Sequence, residues 1–427
     1  MTPGARLLSV VEIIDNILTN KINNNYNIEI NLTNWLRKNR YAGSKDKKEI
    51  SNTIYGVFKR YYILNYIRNK YPLLDNISLE MTIIYYIFHI CKKDELIGYF
   101  DDGPYAIKMN ENINDFILKI NKFEISEDNY IKNSLPEWLL KKINESYLTN
   151  YKEACESMFD EAHFDIRVKK GISPKNIINK FKNYNIKSDV TPISPIGVRV
   201  SKRTAINHLK EFKKGLFEVQ DEGSQLVSLL CGVKEKETII DLCAGAGGKS
   251  LAISDLVENI KIIATDIDPN RLERIKERAI RLKVKDKIII QKNYNSINIQ
   301  ADRIICDVPC SGSGTWRRRP EEKLNLNQNK FQNLLDTQQN ILNYGASLVK
   351  IGGEIVYITC SILDDENKEQ INLFLKNNSN FEIVDLQNSW NNIIKSQEWY
   401  SKEPFCQLTP FFHKCDGFFL ARLVRIN

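Results

Sequence analysis

Arg303-Ile304-Ile305-Cys306-Asp307-Val308-Pro309-Cys310-Ser311-Gly312 is the stretch whose reading decides the fold. A short apolar run that ends in a carboxylate and a turn reads as a buried parallel strand meeting its loop. In an open α/β sheet, ligands bind at the carboxyl ends of the strands, so Asp307 and Cys310 fall where chemistry is done. A second such run, Ile355-Val356-Tyr357-Ile358-Thr359, ends at Cys360. Two thiols at two strand ends of one sheet make a candidate reaction centre. Free cysteine is among the most buried residue types. That plainer reading is kept for Cys306 and Cys231 and set aside for Cys310 and Cys360.

Upstream, strands alternate with helices from Glu222 onward, the pattern of a parallel sheet. Thr238 to Leu242 is its first strand and runs into Cys243-Ala244-Gly245-Ala246-Gly247-Gly248-Lys249-Ser250. Glycines there let the backbone approach a ligand, and the helix that follows offers free N–H groups. A Walker A loop needs glycine where this chain has Cys243, so a nucleoside triphosphate is disfavoured. A dinucleotide fingerprint fails on spacing. The second strand, Ile262 to Thr265, ends in Asp266-Ile267-Asp268-Pro269. A carboxylate at that end can accept both hydroxyls of a ribose, whereas Asp268 reads as the cap of the next helix. A third strand, Ile288 to Gln291, ends at Lys292-Asn293. A glycine loop and a ribose carboxylate without a phosphate-binding lysine suit S-adenosylmethionine, an adenosine that carries no phosphates.

The chain before this region divides in two. Leu7, Val10, Val11, Ile14, Ile17 and Leu18 recur at helical spacing, as do Ile50, Ile54, Val57, Phe58 and Tyr61, and Met81 to Cys91 reads as a more buried helix. Residues 1–125 are expected to be an all-α accessory domain. Residues 126–221 open with a helix at Ser134-Leu135-Pro136-Glu137 and continue as a small α/β unit, with strands at Phe164 to Val168 and Ile196 to Val200. From Ile166 to Gln220 there are thirteen Lys or Arg against three acidic residues, an excess of ten, while the whole chain carries only +8. One basic segment on an otherwise slightly acidic chain is an electrostatic footprint for nucleic acid. Trp316-Arg317-Arg318-Arg319 reads equally as an RNA-stacking and phosphate-pairing stretch or as a solvated basic loop.

The 427 residues, 42% hydrophobic and 27% charged, fit a soluble globular protein of two or three domains. The first residues lack a signal pattern and the longest apolar run is too short to span a bilayer, so a cytoplasmic protein without membrane attachment is expected. Nine cysteines with no CxxC pair argue for reduced thiols. Cys406, His413 and Cys415 lack a fourth ligand, and no metal is expected.

Taken in order, Cys243-Ala-Gly-Ala-Gly-Gly-Lys249, Asp266-Ile-Asp-Pro269, Asp307-Val-Pro-Cys-Ser-Gly312 and Thr359-Cys360-Ser361 resemble the Sun (Fmu) family of RNA cytosine-C5 methyltransferases. Phe217 to Gln225 is similar to that family's entry to the catalytic domain. The resemblance covers roughly residues 130 to 427, and the N-terminal helices look like the NusB-like domain of its ribosomal-RNA branch. It implies a Rossmann-like class I methyltransferase domain over 222–427, S-adenosylmethionine as cofactor, and a monomer acting on RNA, 16S ribosomal RNA first. It implies Cys360 as nucleophile, Cys310 as the thiol that assists release, and Asp307 and Lys249 beside them. The 243–249 loop, Asp266, Asn293 and Asp307 fall at the cofactor or base. Two positions depart from the pattern: the family's proline in the first loop is Ala246, and its acid after the third strand is Asn293.

The chemistry agrees independently. Cytosine C5 is a poor nucleophile until a thiolate adds at C6 and makes the ring an enamine. Exocyclic-amine methyltransferases favour an Asp/Asn-Pro-Pro-aromatic turn, where this chain has Asp-Val-Pro-Cys. A DNA cytosine methyltransferase would use the thiol of the Pro-Cys turn as nucleophile and leave Cys360 without a part. A tRNA substrate, or a non-catalytic RNA-binding or assembly factor on the same fold, are the other readings. The intact Cys310, Cys360, Asp307 and Lys249 speak against the non-catalytic one.

Overall fold

A computed structural model describes the whole chain except residues 21–24, 202, 203, 294–296, 298, 398, 400 and 402. Lys202 and Arg203 of the basic segment, and part of the Asn-rich stretch beyond Asn20, therefore lie outside the described residues. The chain forms two compact units. One comprises Met1–Asp160 with Trp316–Asn327, and the other Glu161–Thr315 with Gln328–Asn427.

The first unit is helical. Its opening helix, Pro3–Thr19, starts as its sequence predicts: Pro3 takes the first turn and the Thr2 hydroxyl accepts from Ala5 N–H. The expected apolar stripe, Leu7, Val10, Val11, Ile14 and Ile17, is buried. It packs with Ile50, Ile54, Val57 and Phe58 of helix Ser44–Lys59 and with Met81, Ile83 and Ile84 of helix Ile77–His89. Each such side chain contributes about 1.5–3 kcal/mol on leaving water. The helices Glu127–Lys132, Glu137–Ser146 and Tyr151–Glu156 belong to this unit. Tyr130 and Phe159 pack edge to face on its core. The boundary expected at 125/126 thus lies inside the helical unit, and the first strand begins only at Phe164.

The second unit carries two sheets. In the smaller, β1 (Phe164–Val168), β2 (Ser188–Val190), β3 (Gly197–Val200) and β4 (Phe217–Val219) pair antiparallel in the order β2-β3-β1-β4. Helix Pro174–Lys182 closes one face through Ile177 and Phe181. In the larger, β5 (Thr238–Asp241), β6 (Lys261–Ala264), β7 (Ile288–Ile290), β8 (Ala301–Asp307) and β9 (Val349–Thr359) are parallel neighbours in the order β7-β6-β5-β8-β9. β10 (Phe381–Val384), β11 (Cys406–Leu408) and β12 (Phe418–Arg425) complete it, and β12 runs antiparallel between β9 and β10.

The continuous apolar runs of β5, β8 and β9 follow from burial on both faces. Ile239, Ile305 and Val356 face helix Glu222–Leu230, while Ile240, Ile304, Cys306 and Tyr357 face the opposite core with Leu342 of helix Gln328–Leu348. Strand order reverses at β5, with β6 on one side and β8 on the other, which opens a crevice at their carboxyl ends.

Candidate active site

The first loop is shaped by two left-handed glycines. Gly245 (φ 53°) and Gly247 (φ 83°) turn the chain from β5 into helix Gly248–Leu256. A Cβ on Gly247 would also stand 2.9 Å from the Ile275 side chain. A Cβ on Gly248 would meet nothing within 4 Å, so the N-terminus of that helix faces open space.

Asp266, buried at the end of β6, accepts from Gly245 N–H at 2.8 Å and from Asp268 N–H at 2.9 Å, with Arg271 at 3.5 Å. Asp268 caps helix Pro269–Leu282 as expected, and Leu272, Ile275, Ala279 and Leu282 are its buried face. Thr265, just before Asp266, keeps a buried hydroxyl with no hydrogen-bond partner among the described residues. Asp241 at the end of β5 is buried. Burial, with the nearby Asp307 charge, raises its carboxyl to about 7 against the hydrogen bond from Ser250. Burial likewise pushes the Cys243 thiol well up, so it behaves as an apolar filler. Asn293 is exposed beyond β7.

A ribose fits this donor and acceptor set. A carboxylate at the end of β6 and an open helix N-terminus after β5 stand at two adjacent strand ends. A phosphate does not fit, because the lysine of the loop is already taken.

That lysine is Lys249. Its ammonium lies 2.8 Å from Asp307 at the end of β8 and 4.7 Å from the centre of the Phe418 ring. Burial pushes Lys249 down, but the charge and hydrogen bond of Asp307 outweigh it and the ammonium is held above its usual value. The Cys310 loop is tied back to β9 through Val308 N–H on the Ile358 carbonyl and Gly314 N–H on the Cys360 carbonyl, each 3.0 Å. The two sulfurs, Cys310 and Cys360, are 3.3 Å apart. The hydrogen bond to Cys360, burial and the Cys360 charge together push the Cys310 thiol far above its ordinary value. Cys231 and Cys306 are fully buried, as read from the sequence.

Some expectations change. Trp316 is only 1% exposed and cannot stack on a base, because it is folded into the interior. Arg319 is exposed but pairs with Glu322. Of the basic segment, Arg167 is buried against Asp255, and Arg199 bridges Asp165 and Glu222. Lys169 donates to the Leu282 carbonyl. These cations hold the fold together and are not available to phosphate. His413 accepts from Thr409 N–H through Nδ1, a local cap. Sequence reasoning missed Glu366, Asn367, Ser311 and Ser361, buried polar residues that surround the two thiol loops. Asp364-Asp365-Glu366 reads as a solvated acidic run; the only hint is its closeness to Cys360.

A parallel sheet closed by an antiparallel β12, a glycine loop after β5 and a carboxylate after β6 define a class I S-adenosylmethionine-dependent methyltransferase. Residues 228–424 match the family model described as 16S rRNA methyltransferase RsmB/F. The ribosomal RNA small subunit methyltransferase B of Shewanella oneidensis is 30% identical over 308 residues, 70% of this chain and 69% of that protein. Its namesake in Photorhabdus laumondii is 30% identical over 307 residues, covering 71% and 69%. The chain belongs to the RsmB/F family of RNA methyltransferases, whose methyl donor is S-adenosylmethionine. Two solved structures share its fold. PH0851 aligns over 100% of this chain and 99% of its own, with TM-score 0.76 at 20% identity. NSun6 from Pyrococcus horikoshii, solved with SFG, aligns over 69% of this chain and 99% of its own, with TM-score 0.58 at 18% identity.

Proposed function

We propose that the chain methylates C5 of a cytosine in ribosomal RNA by a covalent thiol route, with Cys360 as nucleophile and Cys310 as the release thiol. The observation that carries this reading is the pair of sulfurs 3.3 Å apart at the ends of β8 and β9, beside the Lys249–Asp307 pair. S-adenosylmethionine, when bound, supplies an electrophilic methyl group. The 243–249 loop and Asp266 would hold its amino-acid and ribose ends, and Asn293 would meet its adenine. The Cys360 thiolate adds to C6, and the electron pair displaced from the C5–C6 bond makes C5 nucleophilic. Asp307, oriented by Lys249, hydrogen bonds the base edge as charge develops at N3. In the release half, the C5 proton is lost to solvent and the Cys360–C6 bond breaks with its electron pair on sulfur. Cys310, held protonated, donates a hydrogen bond to that leaving sulfur.

The RNA is gripped by the β1–β4 sheet, the strand-bearing part of the 126–221 segment. Its support is the exposure of Lys175, Lys180, Lys182, Lys187, Lys210, Lys213 and Lys214. The helical part, including residues 1–125, is the accessory domain. The protein works as a cytoplasmic monomer; no helix among the described residues is long and apolar enough to cross a membrane.

The test is a denaturing gel of single mutants incubated with ribosomal RNA and S-adenosylmethionine. Cys310→Ala is expected to accumulate an RNA-shifted band, because the forward half survives and release does not. Cys360→Ala is expected to give none. A shifted band in Cys360→Ala with none in Cys310→Ala reverses the roles.

A further inference from the structure

Cys310 and Cys360 follow different strands, and strand pairing alone does not set the gap between their sulfurs. Each cysteine is followed by a buried serine, Ser311 and Ser361. Between them lies Glu366, fully buried in the short 3-10 turn Asp364–Glu366 after β9. Its Oε1 accepts from Ser311 N–H at 2.7 Å and from Gln338 Nε2 at 3.1 Å. Its Oε2 accepts from the Ser311 hydroxyl. The Ser361 hydroxyl lies 3.5 Å from the Ser311 hydroxyl and 2.9 Å from that of Ser313. Glu366 is itself pinned, because the buried Tyr357 hydroxyl donates to its carbonyl at 2.7 Å. A buried carboxylate that serves three donors is a fixed point and not a solvated acid.

We propose that Glu366 is the positioning residue of the thiol pair. By tying the residue after Cys310 to the turn that follows Cys360, its carboxylate makes two separate strand-end loops into one two-sulfur site. Its meaning for catalysis rests on the cytosine-C5 reading above, while its geometry is tested without RNA. The Glu366 charge also faces Cys310, after Cys360 and burial, and adds to the forces that keep that thiol protonated. The other charged groups of the site, Lys249 and Asp307, are paired with each other.

The test reads the sulfur gap directly. Diamide takes two protons and two electrons from a pair of neighbouring thiols into its N=N bond and leaves a disulfide. Mass spectrometry of the full chain follows closure of the Cys310–Cys360 link. Glu366→Ala is expected to slow closure about tenfold, the scale of losing a buried acceptor. Glu366→Gln, which keeps an acceptor for Ser311 N–H, is expected to slow it less. Alkylation of Cys360 by iodoacetamide in a Cys310→Ala background is expected not to change with either substitution, because exposure is not what Glu366 controls. Should Glu366→Ala not fold, Glu366→Gln and Ser311→Ala carry the test, each with partial slowing. Closure at the wild-type rate in the folded variants overturns the proposal, as does an equal slowing of alkylation. Failure of the cytosine-C5 reading is separate: it shows as no RNA adduct in Cys310→Ala with Glu366 intact.

Discussion

Asp266 organises the first loop before any ribose reaches it, since Gly245 and Asp268 both donate to it. Asp266→Ala is therefore expected to weaken S-adenosylmethionine binding by about tenfold to a hundredfold, the loss of charged hydrogen bonds. Asp266→Asn should lose less, and calorimetry on folded protein decides; unchanged affinity in Asp266→Ala removes the assignment. Asp241 gives a pH signature. Burial raises its folded value to about 7 from an ordinary 3.8, so the folded state binds the extra proton. Its contribution to stability is present below the unfolded value and is lost as pH rises toward 7. Asp241→Asn should flatten the fall of the thermal midpoint across that window; a wild-type profile in the mutant would mean another group titrates. Residues of this kind differ in how far they are legible. Cys310, Cys360 and Asp266 stand at strand ends, which an apolar run announces. Glu366 owes its role to burial between two loops that meet only in three dimensions, and its acidic neighbours disguise it.

The helices and parallel strands around the site follow from local pattern. β5, β6 and β8 lie within a residue or two of their apolar runs, β9 ends where its run ends but starts six residues earlier, at Val349, and helix Pro269–Leu282 starts at its predicted cap. β10, β11 and β12 did not stand out, because antiparallel pairing of β12 with β9 depends on partners distant in sequence. Gly247 is the element on which the strand-to-helix turn depends. Gly247→Ala combines a left-handed φ with the contact to Ile275 and should cost about 1–3 kcal/mol. Urea unfolding would show it, with a larger loss of cofactor binding than of stability, since the loop and the helix N-terminus move together. Equal losses would reduce Gly247 to a packing position.

Across the whole molecule, the basic excess was legible as a count but not as a surface. Side chains such as Arg167 and Arg199 are spent on buried carboxylates, which the sequence does not distinguish from exposed lysines. Neutralising Lys180, Lys182, Lys213 and Lys214 is expected to flatten the dependence of RNA affinity on salt by up to about three in the log–log slope. Filter binding across a salt series measures it, and an unchanged slope makes the sheet a bystander. A different consequence belongs to the segment Trp316–Asn327, which completes the helical unit from far along the chain. Asn325 exchanges two hydrogen bonds with the Tyr26 backbone, and Lys323 is buried against the Lys59 carbonyl and Tyr62. A ribosome making this chain releases residues 1–160 long before those partners. At roughly 5–20 residues per second, the nascent helices wait on the order of ten seconds or more with a seam still open. The seam of the helical unit can thus close only once translation has passed residue 327, well into the stretch that builds the larger sheet.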